Sequence, residues 1–246
     1  FELDTFTWLH PHYTVDDDYE QRKGNYDGVR DWGVGQASAA INALDILLDP
    51  KAGWHGIFPE LVLFDCHACH RPMSGKAWGP RQGTGLGPGV VRLNDANLLM
   101  FRHVLAAVDS NAAKQVFDGS RKLHQATTTD REQTLAAARA LRERLMVLRE
   151  TTKATQFPAE SLGVILGSLV ADAERGEFRD YAAAEQAAMA VQSVVVAFEG
   201  AGLLDEAATK RMQQRVDALY ASIEKDESWS MLKFTEALRA VRAAAP

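Results

Sequence analysis

The sequence predicts an all-α protein, and three observations support this fold class. Apolar residues recur at helical spacing in five separate stripes after about residue 130. The connections between these stripes are short, as they are between the helices of a bundle. The chain shows neither strand-like alternation nor a repeat of fixed period. We therefore expect a loop-rich region over 1–125, followed by a helical bundle over 126–246.

The first region combines irregular stretches with two expected helices. Residues 1–33 are polar and rich in turn formers, and residues 51–92 carry scattered Gly, Pro and Trp. Between them, apolar residues at helical spacing predict a helix over 34–49, which Pro50 ends. A second helix is expected to begin after residues 94–95, whose Asn or Asp supplies the cap, and to reach about residue 108.

The second region contains the five apolar stripes. They consist of Leu141, Leu145 and Leu148; Leu162, Ile165, Leu166 and Leu169; Val191, Val195 and Phe198; Leu204, Met212, Val216 and Leu219; and Met231, Phe234, Leu238 and Val241. Gly200 and Gly202 follow the third stripe and predict the end of its helix, because glycine is the usual residue just past a helix C-terminus. Each stripe predicts one helix with an apolar face.

Composition excludes two classes of partner. The net charge is −6 over 246 residues with no basic stripe, which argues against nucleic acid, whose phosphates are bound by clustered Lys and Arg. No apolar run approaches the roughly 20 residues that span a bilayer. Because residue 1 is Phe, we expect that a signal peptide has been removed or that the sequence is part of a longer chain.

The motif that carries chemistry is Cys66-His67-Ala68-Cys69-His70, and it contains both cysteines of the chain. In Cys-x-x-Cys-His, two thiols form thioethers with the two vinyl groups of a haem, and the following imidazole binds the iron. The motif therefore predicts one covalently bound haem c on Cys66 and Cys69, with His70 as the proximal iron ligand. Arg71, Lys76 and Arg81 follow it and either neutralise the haem propionates or lie on the surface.

Other interpretations of the two cysteines remain open. A redox disulfide is disfavoured because no βαβ pattern surrounds the pair. Half of a structural zinc site is disfavoured because such a site needs four ligands and the chain has no second cysteine pair. A chance occurrence is the third alternative.

The second axial ligand of the iron is less defined. His10 and His12 flank Pro11, which favours an extended segment that can lay a histidine across a haem face. His103 lies on the second predicted helix. For His10 and His12 the competing interpretation is a solvent-exposed loop. For His103 it is a core residue whose side chain is hydrogen-bonded within the protein.

Seven stretches of the chain, one of which contains the haem motif, agree with one family of proteins. They are Phe1-Glu-Leu-Asp-Thr-Phe6, Arg22-Lys23, Trp32-Gly-Val-Gly-Gln36, Phe58-Pro-Glu-Leu61, Phe64-Asp-Cys-His-Ala-Cys-His70, Pro72-Met73 and Arg92-Leu-Asn-Asp95. Over about residues 1–110 the chain resembles periplasmic multihaem c-type cytochromes of the tetrahaem nitrification-cytochrome group. The resemblance implies electron transfer, a periplasmic address and often two histidine ligands to the iron.

The sequence also departs from that family. Relatives carry several haem motifs and this chain has one, and Arg71 stands where relatives often have a second histidine. A Gly-His-Pro segment, which in relatives precedes the position matching Phe1, is absent. The chain is then either the C-terminal part of a multihaem protein or a single-haem version of one. In the second case another chain must supply the neighbouring cofactor.

These observations predict an electron-transfer subunit within a larger multihaem or multisubunit assembly, an electron carrier more than a catalyst. Its expected partners are redox proteins or haem-bearing chains in a hetero- or homo-oligomer, and any membrane association would come through a partner. The bundle over 126–246 is longer than one haem requires, so we interpret it as a docking region. A haem enzyme or gas sensor with an open sixth position and a structural subunit of a redox complex are the alternatives.

Overall fold

The computed structural model describes residues 14, 16–24, 26–65, 81–87 and 89–246, and within them it confirms the all-α prediction. The helices are α1 (Asp17–Lys23), α2 (Gly28–Leu48), α3 (Ala96–Ala106), α4 (Ser110–Ala126), α5 (Arg131–Lys153), α6 (Ala159–Arg175), α7 (Tyr181–Gly200), α8 (Glu206–Ala221) and α9 (Met231–Ala244). Short 3₁₀ turns cover Leu61–Leu63, Gln82–Thr84 and Asp226–Ser228. The only sheet in these described residues is a two-stranded hairpin of β1 (Trp54–His55) and β2 (Phe58–Pro59).

Two helices lie where none was expected, and both begin at an aspartate. Asp16 accepts a hydrogen bond from the Tyr19 amide at 2.9 Å and begins α1, which buries no residue. Asp109 caps α4 in the same way through the Ala112 amide. The buried face of α4 carries only two large aliphatic side chains, Val116 and Leu123; its other buried residues are small or polar, namely Ala112, Ala113, Ser120, His124 and Ala126.

The helix predicted over 34–49 begins earlier than expected, at Gly28. Asp27 caps it by accepting a hydrogen bond from the Arg30 amide at 2.9 Å. The prediction placed its start by the apolar repeat, whereas the chain starts the helix at the capping carboxylate. The predicted end of the third stripe is confirmed: α7 ends at Gly200, and Gly202 adopts a positive φ of 66°.

Two hydrophobic clusters form the interior, and α2 and α3 contribute to both. One cluster joins the later part of α2 and one face of α3 to α4 and α5. The other joins α6–α9 to the first turns of α2 and to Leu99, Met100 and Val104 of α3. Because α3 packs on one side against α4 and on the other against α6 and α7, it holds the two clusters together. The predicted regions 1–125 and 126–246 therefore contact each other over a wide area, and their boundary stays a prediction.

The hairpin and the turn after it lead the chain into the interior. Phe64 pairs with Leu93 in an antiparallel bridge, and the Asp65 amide donates to the Arg92 carbonyl at 3.0 Å. This pairing fixes residues 63–65 against the start of α3. Within the part of the chain that the structure describes, none of the helices is both apolar enough and long enough to span a bilayer.

Candidate functional site

The haem motif lies outside the described residues, and so do the candidate ligands His10 and His12. The structure does describe the residues on either side of 66–80. Asp65 and Arg81 are both buried, with 4% and 3% of their surface exposed. Charged side chains are rarely buried to this extent unless they are paired. These two residues mark the two flanks of the candidate site.

Arg92 forms ion pairs with two carboxylates, those of Asp65 and Asp180. The Arg92 Nη2 atom donates to Asp65 Oδ2 and to Asp180 Oδ2, each at 2.6 Å. Asp180 is the N-cap of α7, and its Oδ1 accepts a hydrogen bond from the Ala183 amide at 2.7 Å. The residue before Cys66 is thus tied to the start of a core helix.

Arg81 is surrounded by three carboxylates. Its Nη1 donates to Asp95 Oδ1 at 2.8 Å, and its Nη2 contacts the second oxygen of the same carboxylate, so the pair is bidentate. Its Nε lies 3.2 Å from Glu177 Oε2, and its Nη1 lies 3.8 Å from Asp180 Oδ2. Arg81 therefore does not lie on the surface, and its guanidinium is committed to protein carboxylates rather than to haem propionates.

These contacts join into one buried ion cluster, which consists of Asp65, Arg81, Arg92, Asp95, Glu177 and Asp180. Both flanks of 66–80 meet at Asp180, because Arg81 and the Arg92–Asp65 pair approach the same Oδ2 atom. The ends of the segment that carries the haem motif are consequently held close together.

The ion cluster contains four carboxylates and two guanidinium groups, and its members differ in proton affinity. Burial alone would raise the pKa of Asp95, but attraction from Arg81, with smaller contributions from His124 and Arg92, holds that pKa well below its ordinary value. Burial raises the pKa of Asp180; Arg92 opposes this shift and Asp65 adds to it. The pKa of Asp95 thus lies below its ordinary value and that of Asp180 above it, although both carboxylates are buried.

Gly83 brings the backbone of the turn after 66–80 against Glu177, a member of the ion cluster. The Gly83 amide donates to Glu177 Oε1 at 2.9 Å. A Cβ atom at this position would lie 2.4 Å from Glu177 Oε2, closer than real Cβ contacts. A side chain at residue 83 would displace the Glu177 carboxylate, so glycine lets the Gln82–Thr84 turn keep its backbone hydrogen bond to it. The chain just after 66–80 is thus held by backbone as well as by Arg81.

His103, the third candidate ligand, is a buried residue of α3 with 2% of its surface exposed. Its Nδ1 lies 2.9 Å from Ser168 Oγ, and that hydroxyl donates to the Ile165 carbonyl at 2.8 Å. Since the hydroxyl proton is used there, Ser168 Oγ accepts from Nδ1–H, and the ring proton resides on Nδ1. Burial, together with Arg102 and Arg175, lowers the pKa of His103 well below its ordinary value.

The Nε2 atom of His103 consequently has an unshared electron pair. It makes no hydrogen bond to any described residue, although Asp172 Oδ2 lies 3.3 Å away. A neutral imidazole that donates through Nδ1 and keeps Nε2 unprotonated is the form in which histidine binds metals. His103 as a distal ligand stays a prediction, because iron could reach Nε2 only if Asp172 gave way.

A cavity of about 530 Å³ opens beside His103 and the Gln82–Gly83 backbone. This volume lies within the roughly 300–1,000 Å³ typical of small-molecule sites. The cavity is lined by apolar side chains (Ala106, Ala113, Phe117), by cationic ones (Arg102, Lys114, Arg121, Arg175) and by the carboxylates Asp172 and Glu177. Arg102 and Arg175 both pair with Asp172, so part of the positive charge of this lining is already neutralised.

No group of three or more His, Cys, Asp or Glu side chains that would hold a metal ion occurs among the described residues. Comparison of the chain with protein-family models, with curated proteins and with solved structures finds no match. The candidate site is therefore defined by the sequence motif and by the geometry around its two flanks.

Sequence reasoning missed most of the ion cluster. Asp95 was expected only as a helix cap, and Arg92, Glu177 and Asp180 had no assigned role. Arg92 and Asp180 are 88 positions apart, and no spacing rule connects them. Burial of these charges follows from the packing of α3, α6 and α7, which a local pattern does not reveal.

The depressed pKa of Asp95 predicts a loss of stability in acid. A carboxylate whose pKa is lower in the folded chain than the unfolded value of about 3.9 stabilises the fold above that pH, and the contribution is lost as the pH falls through and below it. We expect the stability difference between the wild type and Asp95→Asn to be largest near pH 7 and to shrink below about pH 4. Urea unfolding at a series of pH values measures it.

The control for this prediction is Asp217→Asn, which removes an exposed carboxylate of α8. Its stability should follow that of the wild type across the same range. The raised pKa of Asp180 makes stability depend on pH in the opposite direction. This contribution is present in both proteins, so the difference in stability between the wild type and Asp95→Asn isolates the contribution of Asp95. A stability difference that stays constant down to pH 2 would contradict the prediction.

Proposed function

We propose that this chain is an electron-transfer c-type cytochrome subunit with one haem, attached through Cys66 and Cys69 and ligated by His70. The observation that carries the proposal is the Cys-x-x-Cys-His motif, which uses both cysteines of the chain. The compartment that suits this attachment is the periplasm, and the partners are redox proteins or other haem-bearing chains.

Two features of the described residues support the proposal. First, Asp65 and Arg81 anchor both flanks of the motif in one buried ion cluster. Second, a cavity of about 530 Å³, partly apolar, lies beside Gln82 and Gly83, just after the segment that carries the motif. A bound haem would supply a one-electron redox centre, while the protein supplies attachment, orientation and electrostatics.

The chain's own residues then have separate tasks. The two thiols retain the cofactor, and the His70 imidazole binds its iron. The ion cluster holds the flanks of the motif against Asp95 and Asp180, the residues that begin α3 and α7. Electron uptake would then require little movement of the polypeptide at these flanks. The apolar side chains of the hairpin and the following turn, including Phe58, Leu61 and Val62, are exposed beside Asp65.

The test is the haem content of the purified chain, produced in a host that matures c-type cytochromes. Intact mass and a pyridine haemochrome spectrum are expected to show one covalent haem in the wild type. The Cys66→Ala, Cys69→Ala variant should show none, while His55→Ala, which removes an exposed histidine, should retain it. A colourless wild type with the mass of the bare polypeptide would refute the proposal.

A further inference from the structure

The cavity beside His103 carries an excess of positive charge. Four cationic side chains line it against two carboxylates, and the lowered pKa of His103 leaves that ring neutral at pH 7. The chain as a whole has a net charge of −6, so the cavity is a local exception to its acidic character. A cleft with this charge attracts anions, because its low-dielectric walls concentrate the field of the cations.

Both carboxylates of the lining are already engaged by arginines. Asp172, with 1% of its surface exposed, pairs with Arg102 and with Arg175. Glu177 Oε2 lies 3.2 Å from the Nε atom of Arg81, a member of the ion cluster. The positive charge that remains in the cavity therefore has no carboxylate of the lining to itself.

Arg102 of α3 brings a largely buried guanidinium with an unused donor to the cavity. Its side chain is 16% exposed, and its guanidinium carbon lies 5.2 Å from the centroid of the Phe117 ring. Its Nε atom is buried and reaches no acceptor among the residues that the structure describes. Burial lowers the pKa of Arg102, an effect that Glu177 opposes and Arg175 reinforces. A further anion beside Arg102 would satisfy this donor and offset the cost of its burial.

Arg121 of α4 brings a second guanidinium to the same cavity. It is exposed and forms no ion pair with any residue in the described part of the chain. The turn at Gly85, whose φ is 68°, approaches it so closely that a Cβ atom there would lie 2.8 Å from its Nε atom. Lys114, in contrast, pairs with Asp118 on the surface. The charge of Arg121 is therefore available to a ligand.

Apolar side chains of the cavity offer contact to the body of a ligand. Ala106, Ala113 and Phe117 line it together with the two guanidinium groups. We propose that the cavity binds a small organic anion, whose carboxylate or phosphate group pairs with Arg102 and Arg121 and whose apolar part packs against Phe117. Guanidinium groups bind such oxyanions through paired hydrogen bonds. The site goes beyond electron transfer, and it uses no residue of 66–80.

Isothermal titration calorimetry tests this site on the purified chain, produced as for the haem measurement and held in a phosphate-free buffer of low ionic strength. The probes are phenyl phosphate, benzoate, inorganic phosphate and benzyl alcohol. We expect one molecule of phenyl phosphate or of benzoate to bind per chain, and the tighter of the two identifies the acidic group. Inorganic phosphate, which lacks an apolar part, should bind about tenfold more weakly than that probe. Benzyl alcohol, which lacks a charge, should give no measurable binding.

Arg121→Gln tests whether the cationic lining binds the probe. The variant removes one charge from an exposed side chain, so the fold should be retained, and the affinity for the tighter probe should fall about tenfold. Arg211→Gln is the matched control, because Arg211 is also exposed and lies on α8, which does not line the cavity. Its affinity should equal that of the wild type.

Three results would overturn the inference: no binding of either aromatic anion, equally tight binding of inorganic phosphate or benzyl alcohol, or an affinity that Arg121→Gln leaves unchanged. Binding seen only in the Cys66→Ala, Cys69→Ala variant would also overturn it, since haem would then fill the cavity. That last result would leave the proposed function standing. Failure of the proposed function is seen separately, as the absence of covalent haem in the mass spectrum.

Discussion

Replacing Arg81 with alanine is expected to destabilise the protein by about 3–5 kcal/mol, the range seen when one partner of a buried ion pair is removed. The variant would leave Asp95, Glu177 and Asp180 inside the protein without their shared cation. Burial alone would lower the pKa of Arg81, yet attraction from these carboxylates raises it, which shows how strongly they depend on its charge. Urea unfolding followed by circular dichroism measures the loss.

The matched control is Arg142→Ala on α5. Arg142 also pairs with an aspartate, Asp45, but the pair is on the surface, where solvent screens it. We expect this variant to unfold close to the wild-type midpoint. If Arg81→Ala were no less stable than Arg142→Ala, the ion cluster would contribute little and its role as the anchor of 66–80 would be lost.

The extent to which the sequence predicts the fold depends on how much apolar surface each helix buries. Helix α6 buries a stripe of Leu and Ile side chains, and the second half of α7 buries Val and Phe side chains at helical spacing, so the sequence predicts both. In contrast, α1 buries none and depends on its Asp16 cap and an Arg22–Asp18 pair. Hydrophobic periodicity identifies a helix only when a broad apolar face is present.

The two parts of the candidate site differ in how far the sequence predicts them. The haem motif is local, because its chemistry requires five consecutive positions, and it is therefore visible in the sequence. The ion cluster is assembled from four separate parts of the chain, at 65, 81, 92–95 and 177–180, and no one part predicts it. Arg81 illustrates the limit. Its position beside the motif predicts a surface or propionate role, whereas Asp95 and the packing of 177–180 place three carboxylates around its guanidinium.

Phe178→Ala is expected to cost about 3–5 kcal/mol, as for other phenylalanines removed from a protein core. Phe178 is fully buried in the connection between α6 and α7, with Glu177 before it and Asp180 two positions on. Its ring meets the His103 and Phe234 rings edge to face, with centroids 6.0 and 6.2 Å away. Its loss would remove apolar packing and loosen the loop that carries two carboxylates of the ion cluster.

Comparison with Phe58→Ala separates burial from residue type, since Phe58 is 67% exposed and its loss should hardly change the unfolding midpoint. The coupling to the ion cluster is tested by a double-mutant cycle. Because Phe178 positions Glu177 and Asp180, Arg81→Ala should cost less in the Phe178→Ala background than in the wild type. Strictly additive losses would mean that core packing and the ion cluster act independently, and that the flank of the haem motif is held by charge alone.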